Sequence, residues 1–173
     1  MSHYKIKTKS GAIVCDPCYV LADDVYDQWL AGTDLGDGVC SITANGVTMD
    51  MMSHSTAYGD GGYDSNVDVV FMVDSGCIAV MPLEIIDEQK FNQMKLWDNG
   101  YYIIEGEQEI GMEFDNGTFT IDDGTRDWPV TIWTGDDEEP NDDYNDWPDD
   151  DYPDRLYSED DEWPDPFEDE EQE

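Results

Sequence analysis

Through the first 135 residues, short apolar or alternating runs are separated by Gly, Asn and Asp, which is how antiparallel strands joined by hairpins read in a sequence. Strands are expected at 12–15, 39–43, 47–51, 67–73, 77–81, 101–105, 108–114, 118–121 and 130–133. Asn45-Gly46 and Asn116-Gly117 each supply the positive-φ pair that a two-residue type I′ turn demands, so both mark hairpins. Two stretches carry helical spacing instead. Leu21, Val25, Tyr26, Trp29 and Leu30 share one face, with Gly32 placed to end the helix. A second helix is expected from 83 to about 97, with Leu83, Ile86, Met94 and Trp97 on one side and Asp98-Asn99-Gly100 terminating it. The fold class that follows is α+β, mainly antiparallel β-sheet and hairpins with one or two packed helices; a pure β-sandwich or barrel is the alternative.

Residues 136–173 follow a different rule. They hold 21 Asp plus Glu against a single base, Arg155, a net charge of −20, together with five of the chain's eight prolines. Proline bars both a continuous helix and a central strand there, so the segment reads as an extended, disordered acidic C-terminal tail. The chain therefore divides into a compact β-rich domain, 1–135, and a tail, 136–173. The domain has enough residues for one core and carries a net −17 of its own.

A total charge of −37 excludes whole classes of partner. Direct nucleic-acid binding needs Lys and Arg to displace counterions from phosphate, and an anionic membrane is an equally poor match. Cations and basic proteins remain. The first residues contain bases but no apolar stretch after them, and no apolar run reaches membrane-spanning length, so a cytoplasmic protein with reduced thiols is expected. If the chain is phage-encoded, that compartment is the host cytoplasm.

Candidate chemistry is sparse. Cys15-Asp16-Pro17-Cys18 has the spacing of a redox pair or half a zinc site, but Cys40 and Cys77 are isolated, and thiols packed as small apolar groups account for all four. His54 lies near Asp50, Asp60 and Asp64 in the sequence, and an enzyme would work through Asp16, His54, Asp60 or Asp64. Asp64 to Asp68 begins like a calcium loop, yet Val69 replaces the required turn glycine and Ser75 stands where the bidentate Glu belongs. No phosphate-binding loop, dinucleotide fingerprint, nucleophile elbow or HExxH occurs. No catalytic residue, metal ligand or cofactor is assigned on these grounds.

Three segments carry a resemblance: Asp16-Pro17-Cys18-Tyr19, the run Thr56-Ala57-Tyr58-Gly59-Asp60-Gly61-Gly62-Tyr63, and the run from Val73-Asp74-Ser75-Gly76-Cys77 to Pro82. Over roughly residues 10 to 85 the chain resembles a small family of uncharacterised bacterial and bacteriophage proteins. The resemblance implies a bacterial or phage setting and transfers no functional residues.

The tail interleaves rings with acids. Asp-Trp-Pro or a close variant recurs around Trp128, Trp147, Tyr152 and Trp163, and Phe167 follows Pro166. Solubility alone calls for no indole rings, whereas aromatic anchors flanked by carboxylates suit a basic groove. Extended, the tail spans roughly 125 Å at about 3.3 Å per residue, too dilute in charge to copy a duplex but similar to a single strand of anions and flat rings. Pro164-Asp165-Pro166-Phe167 also resembles the acidic tip of bacterial single-stranded-DNA-binding proteins, although Glu168 to Glu173 follow the ring. The function expected is that of a non-enzymatic acidic binding protein that mimics nucleic acid and inhibits a basic, nucleic-acid-binding host defence protein. Its contact residues would be Trp147, Asp149, Asp150, Asp151, Tyr152, Asp160, Asp161, Glu162, Trp163 and Phe167. A virion or assembly structural protein is the alternative, and a small hydrolase carries the least weight.

Overall fold

The structure is a computed structural model that describes residues 1–97 and 100–135. The tail, with all ten expected contact residues, lies outside the described residues. The domain is α+β, as expected: strands β1 (Ser2–Thr8), β2 (Gly11–Cys15), β3 (Gly38–Ala44), β4 (Val47–Ser55), β5 (Gly61–Tyr63), β6 (Phe71–Val73), β7 (Cys77–Pro82), β8 (Tyr102–Glu105), β9 (Gln108–Asp115), β10 (Thr118–Asp122) and β11 (Val130–Trp133), with helices α1 (Asp23–Gly32) and α2 (Glu88–Leu96). All pairings within its sheets are antiparallel.

A five-stranded sheet in the order β3-β4-β7-β2-β8 forms the middle layer. Its central strands, β2 and β7, are buried at every position, because both of their faces are covered. Alternation sorts their side chains. Ala12, Val14, Ile78 and Val80 point into one core with Ile6, Ile110, Met112, Phe119, Ile121 and Ile132 of the four-stranded sheet β1-β9-β10-β11. Ile13, Cys15, Cys77, Ala79 and Met81 point the other way, into a second core closed by Val25 and Trp29 of α1 and Met94 of α2. Among the described residues, the four-stranded sheet thus has one face on a core and one face bare.

Both Asn-Gly hairpins form. Asn45 and Gly46 take φ of 51° and 77° between β3 and β4, and Asn116 and Gly117 take 48° and 81° between β9 and β10.

Four expectations need correction. The long second helix is broken: a 3₁₀ turn spans Leu83–Ile85, and α2 starts only after Asp87, whose carboxylate accepts the Lys90 N–H at 2.8 Å as an N-cap. Its apolar face is correspondingly small, and Trp97 is 60% exposed. Gly32 does not cap α1 but is its last residue, where a Cβ would stand 2.8 Å from the Cys40 Cβ. The expected strand at 67–73 shrinks to Phe71–Val73, because Asp68 adopts a positive φ of 56° and the Ser65 hydroxyl turns back to Val69 O at 2.7 Å. Strands β1 and β5 were not expected at all.

Candidate functional site

The segments 16–19, 56–63 and 73–82 come together in one hydrogen-bonded knot. Asp16 directly follows β2 and is 0% exposed. Its Oδ1 accepts the Cys18 N–H at 2.8 Å, capping a 3₁₀ turn that Pro17 pre-sets. Its Oδ2 accepts the N–H groups of Asp74 at 2.6 Å and Ser75 at 2.7 Å, from the turn between β6 and β7. The Tyr19 hydroxyl donates to Asp74 Oδ2 at 2.5 Å. That turn then passes the connection on, for Thr56 donates its N–H to Gly76 O at 2.8 Å. The Thr56 and Tyr63 hydroxyls both donate to Gly59 O, at 2.7 and 2.8 Å.

This knot organises backbone. Burial, then the Asp16 charge and its hydrogen bond, pushes the Cys18 thiol far above its ordinary range, the reverse of what a nucleophilic thiolate needs. Cys15 is fully buried in the helix-side core and is shifted the same way, by burial first. The CxxC spacing therefore sets two protonated thiols at the end of a strand.

The residues weighed for catalysis are each engaged separately. His54 Nδ1 donates to Ser55 O at 2.8 Å, and Nε2 hydrogen-bonds with the Ser2 hydroxyl at 3.2 Å. Its ring stacks on Phe114 at 4.0 Å. Asp37 Oδ2 lies 3.8 Å from Nε2, but Asp37 Oδ1 is taken up by the N–H and hydroxyl of Ser55. Asp60 and Asp64 are exposed, and the backbone of Asp64 accepts from Trp133 N at 3.0 Å. Among the described residues no group of three His, Cys, Asp or Glu is placed to hold a metal ion. No helix among them is long and apolar enough to cross a membrane.

A second feature was not foreseen. On the bare face of the four-stranded sheet, a hollow of about 340 Å³ is lined by His3 and Lys5 of β1, Glu109, Gly111 and Glu113 of β9, and Thr120 and Asp122 of β10, with Gly124 and Pro129 at its end. Register builds it: His3, Glu113 and Thr120 form one cross-strand row, and Lys5, Gly111 and Asp122 the next. The outward alternation of Glu109, Gly111 and Glu113 follows from the expected strand at 108–114. Its neighbour β1 was the missing element, since Tyr4, Ile6 and Thr8 give only a faint inward stripe among lysines.

Exposed carboxylates recur over the rest of the described surface. Seventeen of the 22 Asp and Glu described are exposed, while Lys and Arg pair with three acids, Glu109, Asp23 and Asp123, so most of the negative charge is uncompensated among the described residues. Compared with protein-family models, curated proteins and solved structures, the chain matches none.

Proposed function

We propose that the protein is a non-enzymatic acidic decoy that occupies the nucleic-acid groove of a basic host protein and so inhibits it. The observation that carries this reading is the distribution of charge: a net −17 on the domain, most of it on exposed carboxylates, and −20 in a tail that interleaves acids with rings. Such a surface raises the local attraction for a positively lined cleft and speeds encounter with it. The tail rings Trp147, Tyr152, Trp163 and Phe167 supply stacking area where bases would stack, and Asp149, Asp150, Asp151, Asp160, Asp161 and Glu162 supply the anions. The motif resemblance adds a bacterial or phage setting. What supports a binding role over a chemical one is that the buried polar groups of the motif segments are engaged in backbone contacts.

The test is capture from nuclease-treated bacterial lysate on the immobilised full-length protein at physiological salt. The expected result is retention of nucleic-acid-binding proteins that single-stranded DNA displaces. Neutralising the six tail acids to Asn and Gln should abolish retention. Capture that survives neutralisation, or that DNA does not displace, would remove the decoy reading.

A further inference from the structure

The bare face of the four-stranded sheet holds a glycine that the fold does not require. Gly111 sits in the middle of β9, opposite Lys5 on one side and Asp122 on the other; the pairing with β1 runs through it without a bulge, and the pairing with β10 ends on it. Its φ is not in the left-handed region. A Cβ at this position would meet only Tyr4 O and Asp122 O, both at 3.9 Å, which is ordinary contact. A strand-interior glycine has no side chain to pack and costs backbone entropy, so almost any β-former would hold this strand better. Among the described residues no bulge, left-handed φ or close chain contact accounts for the bare position, which points to the approach of a ligand to the backbone.

The surroundings define that ligand. Glu109 and Glu113 flank Gly111 on the same face, two residues to either side, and Asp122 faces it from β10. Lys5 already leans to Glu109 at 3.4 Å and His3 to Glu113 at 2.9 Å. The hollow presents three carboxylates, Glu109, Glu113 and Asp122, against the Lys5 ammonium and the His3 ring. It continues past Glu113 and Thr120 into a second hollow of about 380 Å³ that adds Met1, Asp115, Asn116 and Thr118, with the Met1 ammonium 3.9 Å from Asp115. A guanidinium laid flat on the Gly111 peptide would have Glu109, Glu113 and Asp122 on three sides and Lys5 opposite on β1, and its planar set of donors suits more than one carboxylate partner.

We propose that this groove receives an arginine side chain of the protein's basic partner, seated on Gly111 between Glu109, Glu113 and Asp122. The identity of the partner rests on the decoy reading; the contact itself is made by the folded domain.

The test is an amide NMR titration of the full-length protein with acetyl-Gly-Arg-Gly-amide at physiological salt, with the citrulline peptide as neutral control. Saturable shifts are expected at 109–113 and 120–122 with the arginine peptide only. Gly111→Val changes no charge, fills the floor, and should weaken binding at least ~tenfold while leaving the melting temperature equal or higher. Should that variant not fold, Glu113→Gln with Asp122→Asn carries the test, against Asp24→Asn with Asp27→Asn on α1, which removes the same charge elsewhere. Shifts scattered over acids around the domain, no saturable shift in the groove, or undiminished binding by Gly111→Val would overturn the proposal. A protein that seats the peptide but retains no nucleic-acid-binding protein retires the decoy reading alone, and the converse retires the groove alone.

Discussion

The Asp16 carboxylate accepts the Ser75 N–H at 2.7 Å, across 59 residues of chain, and so ties the end of β2 to the turn that launches β7. Two more N–H groups, of Cys18 and Asp74, complete the shell around a carboxylate with no exposed surface. Charge-assisted bonds of this kind are about twice as strong as neutral ones. Asp16→Asn keeps the shape but aims an amide N–H₂ at a backbone donor on one side. Orphaning one or two buried donors should cost about 2–4 kcal/mol, read as a fall in the urea midpoint at unchanged slope. A loss under ~1 kcal/mol would show that the knot is not a point of stability.

The two hairpin glycines separate strain from crowding. Gly46 and Gly117 have nearly the same φ, 77° and 81°. A Cβ on Gly46 would meet nothing within 4 Å, whereas one on Gly117 would lie 2.5 Å from the Gly135 Cα. Gly46→Ala should cost about 1 kcal/mol for the left-handed backbone alone. Gly117→Ala should cost a further ~1–3 kcal/mol, because a backbone atom must move. Equal losses in thermal unfolding would refute the close approach.

Burial, followed by the charges of Asp37 and Asp16, pushes the Cys77 thiol up to about 12, and burial with Asp50 pushes Cys40 up to about 11. The Tyr19 hydroxyl is raised too, by burial first and then by its bond to Asp74. Unfolded thiols ionise near ~8.5, so above that pH the unfolded chain binds fewer protons than the folded one. Stability is fully present below about pH 8.5 and declines as pH rises toward the folded values of about 11 and 12. Urea midpoints should be level between pH 7 and 8 and fall steadily from there to pH 10.5, and Cys77→Ala should flatten that fall. A midpoint rising with pH would contradict the protonated thiols.

The sequence declared its buried strands most clearly. Ala12 to Cys15 and Cys77 to Met81 are uninterrupted apolar runs because they lie between two cores, and the Asn-Gly turns are local chemistry that needs no tertiary context. The helix expected from 83 failed on a local feature, the Asp87 cap, which periodicity overran. Strand β1 was hidden because Lys5, Lys7 and Lys9 read as a charged terminus, and lysines on an edge strand are there to discourage pairing. The groove was hidden for the same reason, since Lys5 and Glu109 meet across 104 residues and only register brings them together. The joining of Asp16 to Asp74 and Ser75 was equally non-local, although all three residues stood within the motif segments.

Another edge strand, β3 of the five-stranded sheet, is guarded by a side chain rather than by charge. Gln28 of α1 donates from Nε2 to Thr43 O at 3.0 Å and accepts the Thr43 N–H on Oε1 at 3.0 Å, so its amide stands where a neighbouring strand's peptide would pair. Gln28→Ala should lose about 1 kcal/mol for two partly exposed hydrogen bonds and leave an unpaired edge. Charge repulsion at −37 would mask the consequence at low salt. At ~1 M salt, where screening falls to about 3 Å, sedimentation velocity should show Gln28→Ala self-associating at concentrations where the parent stays monomeric. Gln28→Glu keeps the acceptor for Thr43 N–H but offers no donor to Thr43 O, so it should fall between the two; a Gln28→Ala protein that remains monomeric in high salt with unchanged stability would show that the edge is protected by something other than this amide.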